Sequence, residues 1–228
     1  MLSRAQSPGL NSLDHRSRSE RRGRKPTKES PPKSRGSKRR GAGLGRGSAP
    51  PGRTSSGRVH LYVGISLDGY IAAPDGSVDW LDPYADARAG FAPFIKTIGS
   101  TIMGRGTYDF AVAHGYGSFG EMPAYVVTHR PFVPPSPSTI PYMGDLTELV
   151  QRIRKRHPRD IWLMGGGILA KSFGEADLID IWSVAFVPMF LGAGLPMFPP
   201  AAFAERRVRL TRTHTYPSGV VELHYERR

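Results

Sequence analysis

The chain has 228 residues, 39% of them hydrophobic, which is room for one domain or two small ones. Its net charge of +13 suggests a nucleic-acid partner only until it is divided. Residues 1–57 hold 15 of the 32 Lys+Arg and 3 of the 19 Asp+Glu, so +12 belongs to that segment and +1 to everything after it. Zero cysteine excludes disulfides, thiolate nucleophiles and Cys-ligated metals, including the zinc of the nucleoside deaminases.

No apolar run reaches the roughly 18 residues of a membrane span, and residues 1–57 hold no apolar h-region, so a cytoplasmic location is expected. Residues 1–57 also lack Phe, Trp and Tyr and are dominated by Ser, Arg, Gly, Pro and Lys. Such a composition buries too little apolar surface to offset the ordering of its backbone, so a disordered basic tail is expected there. Its clusters Arg21-Arg22-Gly23-Arg24-Lys25 and Lys38-Arg39-Arg40 could hold nucleic acid non-specifically. The folded domain is expected over residues 58–228.

Val59–Ile65 is β-rich and almost uncharged, the pattern of a strand buried on both faces. Pro74-Asp75-Gly76 is a turn, Phe91–Ile98 a short helix, Thr101–Met103 a short strand and Gly106–His114 a helix. Ala124–Thr128 reads as another buried strand and Pro131–Pro141 as a Pro-rich loop. Asp145 and Glu148 form a capping box before a helix whose apolar face is Leu146, Leu149, Val150 and Ile153. The basic residues Arg152, Arg154, Lys155 and Arg156 read as its solvated face. After His157-Pro158 come a strand at Ile161–Met164, a helix from Ile168 to Glu175 and a β-rich run at Ile179–Val187. Arg207–Thr213 and Val220–Tyr225 alternate and are joined by Tyr216-Pro217-Ser218-Gly219, a hairpin. The sum is an α/β domain: a mostly parallel central sheet flanked by helices, with a C-terminal antiparallel hairpin.

Three segments carry ligand chemistry. In Ile161-Trp162-Leu163-Met164-Gly165-Gly166-Gly167-Ile168 an apolar strand runs through glycines into a helix. The missing Cβ atoms admit a pyrophosphate and the helix N-terminus favours its charge, although a tight turn without a ligand gives the same pattern. Gly104, Arg105 and Thr107 repeat the arrangement, and Thr128-His129-Arg130 places a hydroxyl and a guanidinium where a phosphate monoester could sit. Together they suit one long anionic ligand at the carboxyl ends of the strands. Ser66 and Asp68, in a polar kink after the first strand, are the polar groups expected nearest such a ligand. The seven His lack metal-site pairing, and Walker A and nucleophile-elbow sequences are absent.

Ser66-Leu67-Asp68-Gly69-Tyr70-Ile71-Ala72, Ile102-Met103-Gly104-Arg105-Gly106-Thr107-Tyr108, Met122-Pro123-Ala124-Tyr125-Val126-Val127-Thr128 and Leu163-Met164-Gly165-Gly166-Gly167 occur in that order. They resemble the dihydrofolate reductase fold, and most closely the C-terminal reductase domain of the bifunctional riboflavin-biosynthesis deaminase–reductase. The resemblance implies NADPH, with Val63, Gly64 and Ile71 at the nicotinamide, Gly165, Gly166, Gly167 and Ile168 under the pyrophosphate, and Gly104, Arg105 and Thr107 on the diphosphate side. Thr128, His129 and Arg130 would take the 2′-phosphate, and Gly165–Gly166 is expected to be a cis peptide.

Folate reductases place a carboxylate shortly after a Trp. Here Trp80 matches the Trp, but Ala85 falls near the acidic position, with Asp82 and Asp86 merely close. The resemblance therefore implies an NADPH-dependent reductase acting on the ribosylamino-pyrimidine of riboflavin synthesis, with Trp80, Asp82 and Asp86 facing the substrate and Ser66 and Asp68 in catalysis. The alternatives are a dihydrofolate reductase and a basic-tailed nucleic-acid-associated protein that keeps the fold as a scaffold. The expected partners are a small heterocyclic substrate and a second copy of the chain, with no membrane, and nucleic acid only through the tail.

Overall fold

A computed structural model describes residues 57–115, 120–200 and 205–228. The expected basic tail lies, apart from Gly57, outside the described residues.

Strand β1 (Val59–Ser66) sits in the middle of an eight-stranded sheet because both of its faces are apolar enough to be covered. Val59 and Leu61 are wholly buried on one face, while His60, Tyr62 and Gly64 occupy the other. After a turn at Gly69 (φ 90°) come β2 (Tyr70–Ala72), a 3₁₀ segment at Asp79–Gly90 and the short α1 (Phe91–Ile95). The helix expected as far as Ile98 stops earlier. The Thr97 hydroxyl and amide both bond back to the Phe94 carbonyl, and Ile98 already begins β3 (Ile98–Gly104).

Helix α2 (Arg105–Ala113), β4 (Ala124–Val127) and β5 (Thr139–Tyr142) follow. Strand β5 lies inside the stretch expected to be a Pro-rich loop. It is an edge strand, where Pro141 is tolerated because one side of the ladder needs no N–H. Helix α3 (Leu146–Arg156) starts at Asp145, whose carboxylate accepts from Glu148 N at 2.9 Å, and buries Leu149, Val150 and Ile153 completely. Arg154 departs from the expected solvated face: it donates to Asp180 at 2.7 Å and to the Gly57 carbonyl at 2.9 Å. Then come β6 (Asp160–Gly165), α4 (Gly167–Glu175), β7 (Ile181–Val187), β8 (Leu195–Pro196), β9 (Val208–Thr215) and β10 (Val221–Arg227).

The strand order is β5-β4-β3-β6-β1-β7-β10-β9. The first six are parallel, and the β9–β10 hairpin adds antiparallel to β7. A separate two-stranded ribbon pairs β2 with β8. The main core packs α3 and α4 against the sheet through Leu149, Val150, Ile153, Leu169, Ala170 and Phe173. On the opposite face the 3₁₀ segment lays Trp80, Leu81, Tyr84 and Ala87 against Val187, Tyr216 and Val220.

Candidate active site

The carboxyl ends of β3 and β6 are neighbours, Met103 lying opposite Gly165. Each strand runs into a helix whose N-cap is glycine: Gly104 before α2 and Gly166 before α4. Neither cap makes a side-chain hydrogen bond, in contrast to α3, where Asp145 fills that role. Two adjacent helix starts therefore present amide hydrogens and the positive ends of their dipoles without an internal anion.

The floor between them is set by missing side chains. A Cβ on Gly166 would stand 3.5 Å from Thr107 Oγ1 and 3.7 Å from Ile71 Cδ1, so these three residues enclose one cradle. A Cβ on Gly104 would stand 3.9 Å from the Gly165 carbonyl and from Leu169 Cβ. Gly165–Gly166 is cis, as expected. Gly167 differs from its neighbours, because a Cβ there would overlap the Pro196 carbonyl and lie 3.2 Å from that of Met197; its bareness lets the β8 segment pack. Ile168 is 78% exposed beside this turn.

Around the cradle, Arg105 donates to Asp109 at 2.6 Å and lays its guanidinium 4.2 Å over the Phe132 ring. Thr128 is buried with its hydroxyl committed locally, donating to the Arg130 carbonyl at 2.8 Å and accepting from the Arg130 amide at 3.1 Å. The resulting turn leaves His129 and Arg130 exposed.

Ser66 and Asp68, the residues expected in catalysis, hold a loop. Ser66 donates to Asp68 at 2.6 Å and accepts from Tyr70 N at 2.9 Å. Asp68 also accepts from Leu191 N at 3.1 Å and Gly192 N at 2.7 Å, pinning residues 189–192 to the end of β1. The bond from Ser66, followed by those two amides, keeps the Asp68 carboxyl below its ordinary value. Asp68 is therefore an anion at neutral pH, with no proton to give.

The substrate-side residues are also dispersed. Asp82 points outward in an ion pair with Arg88 at 2.7 Å, its side chain 71% exposed. Asp86 accepts from Ser218 N at 2.9 Å, and hydrogen bonding from Ser218 lowers its carboxyl. Trp80 packs into the cluster around Val187, its Nε1 buried without a partner among the described residues. Leu81 lies over Gly64, 3.6 Å from where a Cβ would be, so the 3₁₀ segment covers β1 at the position expected for a nicotinamide. Val63 packs against the main core beside it.

Residues 58–222 match the model of the RibD C-terminal domain. The chain belongs to this family. The Bacillus subtilis (strain 168) protein YwjB is 31% identical over 73% of this chain and 96% of its own length, and YyaP of the same organism is 27% identical over 74% and 94%. Among solved structures, a Shewanella sp. PV-4 protein named for riboflavin biosynthesis superposes with a TM-score of 0.68 at 21% identity, covering 75% of this chain and 99% of its own. Dihydrofolate reductase from Enterococcus faecalis gives 0.56 at 15% identity, over 76% and 98%. The fold is that of dihydrofolate reductase.

No helix among the described residues is long and apolar enough to cross a membrane. Sequence reasoning missed the capping of Asp68 by residues 191 and 192 and the buried group around Glu222. The residues that complete each, Leu191 and Gly192 for Asp68 and His60, Tyr62 and Ser183 for Glu222, lie far away along the chain.

Proposed function

We propose that this RibD C-terminal domain is an NADPH-dependent reductase of a small heterocycle, of the kind that reduces 5-amino-6-(5-phosphoribosylamino)uracil. The observation that carries the reading is the pair of helix N-termini without side-chain caps that flank Gly165–Gly166 on adjacent strands. A solved neighbour supports the substrate class: the deaminase/5-amino-6-(5-phosphoribosylamino)uracil reductase of Thermotoga maritima shares the fold at a TM-score of 0.60 and 14% identity, over 76% of this chain and 57% of that one.

The groups present fit such a cofactor. Gly104, Thr107, Gly165, Gly166 and Ile168 would hold its diphosphate, with Arg105 adding charge at the rim. Gly167 serves by letting β8 pack close. Val63, Gly64 and Ile71 would hold the nicotinamide at the carboxyl end of β1, at the edge of the cover that Leu81 lays over Gly64. His129 and Arg130 would take the 2′-phosphate, on a turn that Thr128 fixes. When bound, NADPH supplies the hydride; the chain supplies orientation and excludes water.

Asp68 holds the 189–192 loop at the end of β1. Folate reduction has less support than pyrimidine reduction, because Ala85 stands near the position of the acid while Asp82 and Asp86 are engaged elsewhere. A second copy of the chain belongs to the same reading. Strand β9 is exposed along its whole length, and Trp182, Phe186, Phe198 and Tyr225 help line an apolar cavity of about 480 Å³ beside it. A sedimentation coefficient of a monomer at micromolar concentration would remove that part.

The test of the activity is NADPH oxidation, followed at 340 nm, against ribosylamino-pyrimidines and dihydrofolate. Turnover with the pyrimidines and little with dihydrofolate is expected. Rapid turnover of dihydrofolate alone would replace this reading by folate reduction.

A further inference from the structure

Beneath the Asp79–Gly90 segment, β1, β7 and β10 carry a buried chain of polar groups. His60 Nε2 lies 2.7 Å from Ser183 Oγ, which lies 2.7 Å from His224 Nδ1, and His224 Nε2 lies 2.8 Å from Glu222 Oε1. Tyr216 donates its hydroxyl to Glu222 Oε2 at 2.7 Å, and Tyr62 reaches the same oxygen at 3.4 Å. Serine, histidine and carboxylate in this order also make up hydrolytic triads. Here Ser183 is 1% exposed, in a strand flanked by β1 and β10, with an imidazole on each side of its hydroxyl, so it is no nucleophile.

What the chain of groups holds is charge. The hydrogen bonds run in one consistent direction: His60 to Ser183, Ser183 to His224, and His224 and both tyrosines to Glu222. Burial alone would raise the Glu222 carboxyl, but the bonds from His224 and Tyr216 hold it below its ordinary value. Burial, and then His224, lower His60 to about 3, and burial raises Tyr216 to about 12. The result is a buried carboxylate anion at Glu222, a residue only 3% exposed.

The register places that charge in the row of Gly64. Gly64 is opposite Ala185, and Ala185 is opposite Glu222, two strand spacings or about 10 Å from Gly64. Gly90 closes the covering segment over it: a Cβ there would overlap the Tyr216 hydroxyl and lie 2.9 Å from Glu222 Oε2. The other charged or titratable groups facing this region are His214 and Arg212 on β9, Arg58 before β1, and Asp86 above.

We propose that Glu222 is a fixed anion that biases the site toward the oxidised, cationic nicotinamide. The proposal rests on the reading that Val63, Gly64 and Ile71 hold that ring. The oxidised ring carries a positive charge that the reduced ring lacks, so a buried carboxylate favours the oxidised form. A unit charge about 10 Å away at an effective dielectric near 20 corresponds to a preference of roughly ten-fold. The same attraction would act on the positive charge that develops as hydride leaves. Glu222 touches no reacting atom and is a positioning charge rather than a catalytic residue.

The experiment is calorimetric titration of wild type, Glu222→Gln and Glu222→Asp with NADP⁺ and with NADPH. Glu222→Gln should weaken NADP⁺ roughly ten-fold relative to NADPH, and Glu222→Asp, which keeps the charge, should retain the wild-type ratio. Equal changes for the two cofactors would make Glu222 merely structural and overturn the proposal. If Glu222→Gln does not fold, His214→Lys decides. It adds a permanent cation on exposed β9 opposite Glu222, at the position that packs against Tyr216, and read at low ionic strength it should move the ratio in the same direction by a smaller factor. An unchanged ratio there overturns the proposal as well. Wild-type protein that binds neither cofactor would overturn the cofactor reading and this inference with it, a result separate from equal losses in a variant.

Discussion

Replacing His60 by Gln should remove a large part of the domain's sensitivity to acid. His60 stands edge-on to Phe94 at 4.8 Å between ring centroids, hydrogen-bonded to Ser183 at 2.7 Å. Burial first, then His224 and Arg58, lower it from 6.5 to about 3. In the folded chain it is therefore neutral across the range in which the unfolded chain takes up a proton. Between pH 6.5 and about 3 the unfolded state binds more protons, so stability falls as pH drops through that window and loses nothing further from this group below it. Integrated from pH 7 to pH 4, one such group costs about 3 kcal/mol. For a domain of this size that corresponds to a shift of roughly 6–12 °C in Tm. Gln keeps a donor for Ser183 but cannot titrate. Urea unfolding of both proteins at pH 7, 6, 5 and 4 should give stabilities that diverge by about that 3 kcal/mol at the acid end. Carboxylates held low in the fold, such as Asp68 and Asp86, lose stability on acidification in both proteins and cancel in the difference. Curves that stay parallel down to pH 4 would show that His60 takes up its proton equally in the folded and unfolded chain.

Gly167→Ala should destabilise the fold by roughly 2–3 kcal/mol, because its Cβ would meet the backbone carbonyls of Pro196 and Met197, which cannot step aside as a side chain can. Gly166→Ala, whose Cβ meets only ordinary contacts, should fold normally yet weaken NADPH by filling the cradle; thermal melts and cofactor titrations of the two variants separate these effects. Asp68→Asn should leave the sheet intact while speeding amide exchange at Leu191 and Gly192, the two N–H groups its carboxylate holds, and unchanged exchange would remove its role as the pin of that loop. Arg130→Ala should cost NADPH about 1.5–3 kcal/mol of binding with little effect on NADH, and equal losses would take Arg130 out of the 2′-phosphate site.

The parts of this molecule that were legible in the sequence are those coded over short stretches. The glycines after Ile161–Met164 mark a strand–helix turn, and Asp145 with Glu148 marks the start of α3. Strand β5 was hidden because Pro141 argues against a strand unless the strand is known to lie at an edge, which is a property of the assembled sheet. Arg154 looked like one more solvated cation because Asp180, its partner, arrives from a different strand connection. Asp68 was correctly placed in a turn, but its occupation by the amides of Leu191 and Gly192 depends on a loop more than 120 residues later. Glu222 and His60 each look unremarkable on alternating strands; only the register of β1, β7 and β10 brings them into one buried chain. Local pattern thus foretold most of the long strands and helices and the glycine turns, while the short strands, the 3₁₀ segment and charge pairing across strands required the fold.

Under the proposed function the cradle between α2 and α4 holds a nicotinamide dinucleotide phosphate. The deciding measurement is titration of the purified chain into NADPH while nicotinamide fluorescence is followed. Saturable binding is expected, tighter for NADPH than for NADH and weakened by Gly166→Ala without loss of folding. No saturable change in fluorescence with either dinucleotide, at concentrations up to about 1 mM, the weak end of specific binding, would contradict it.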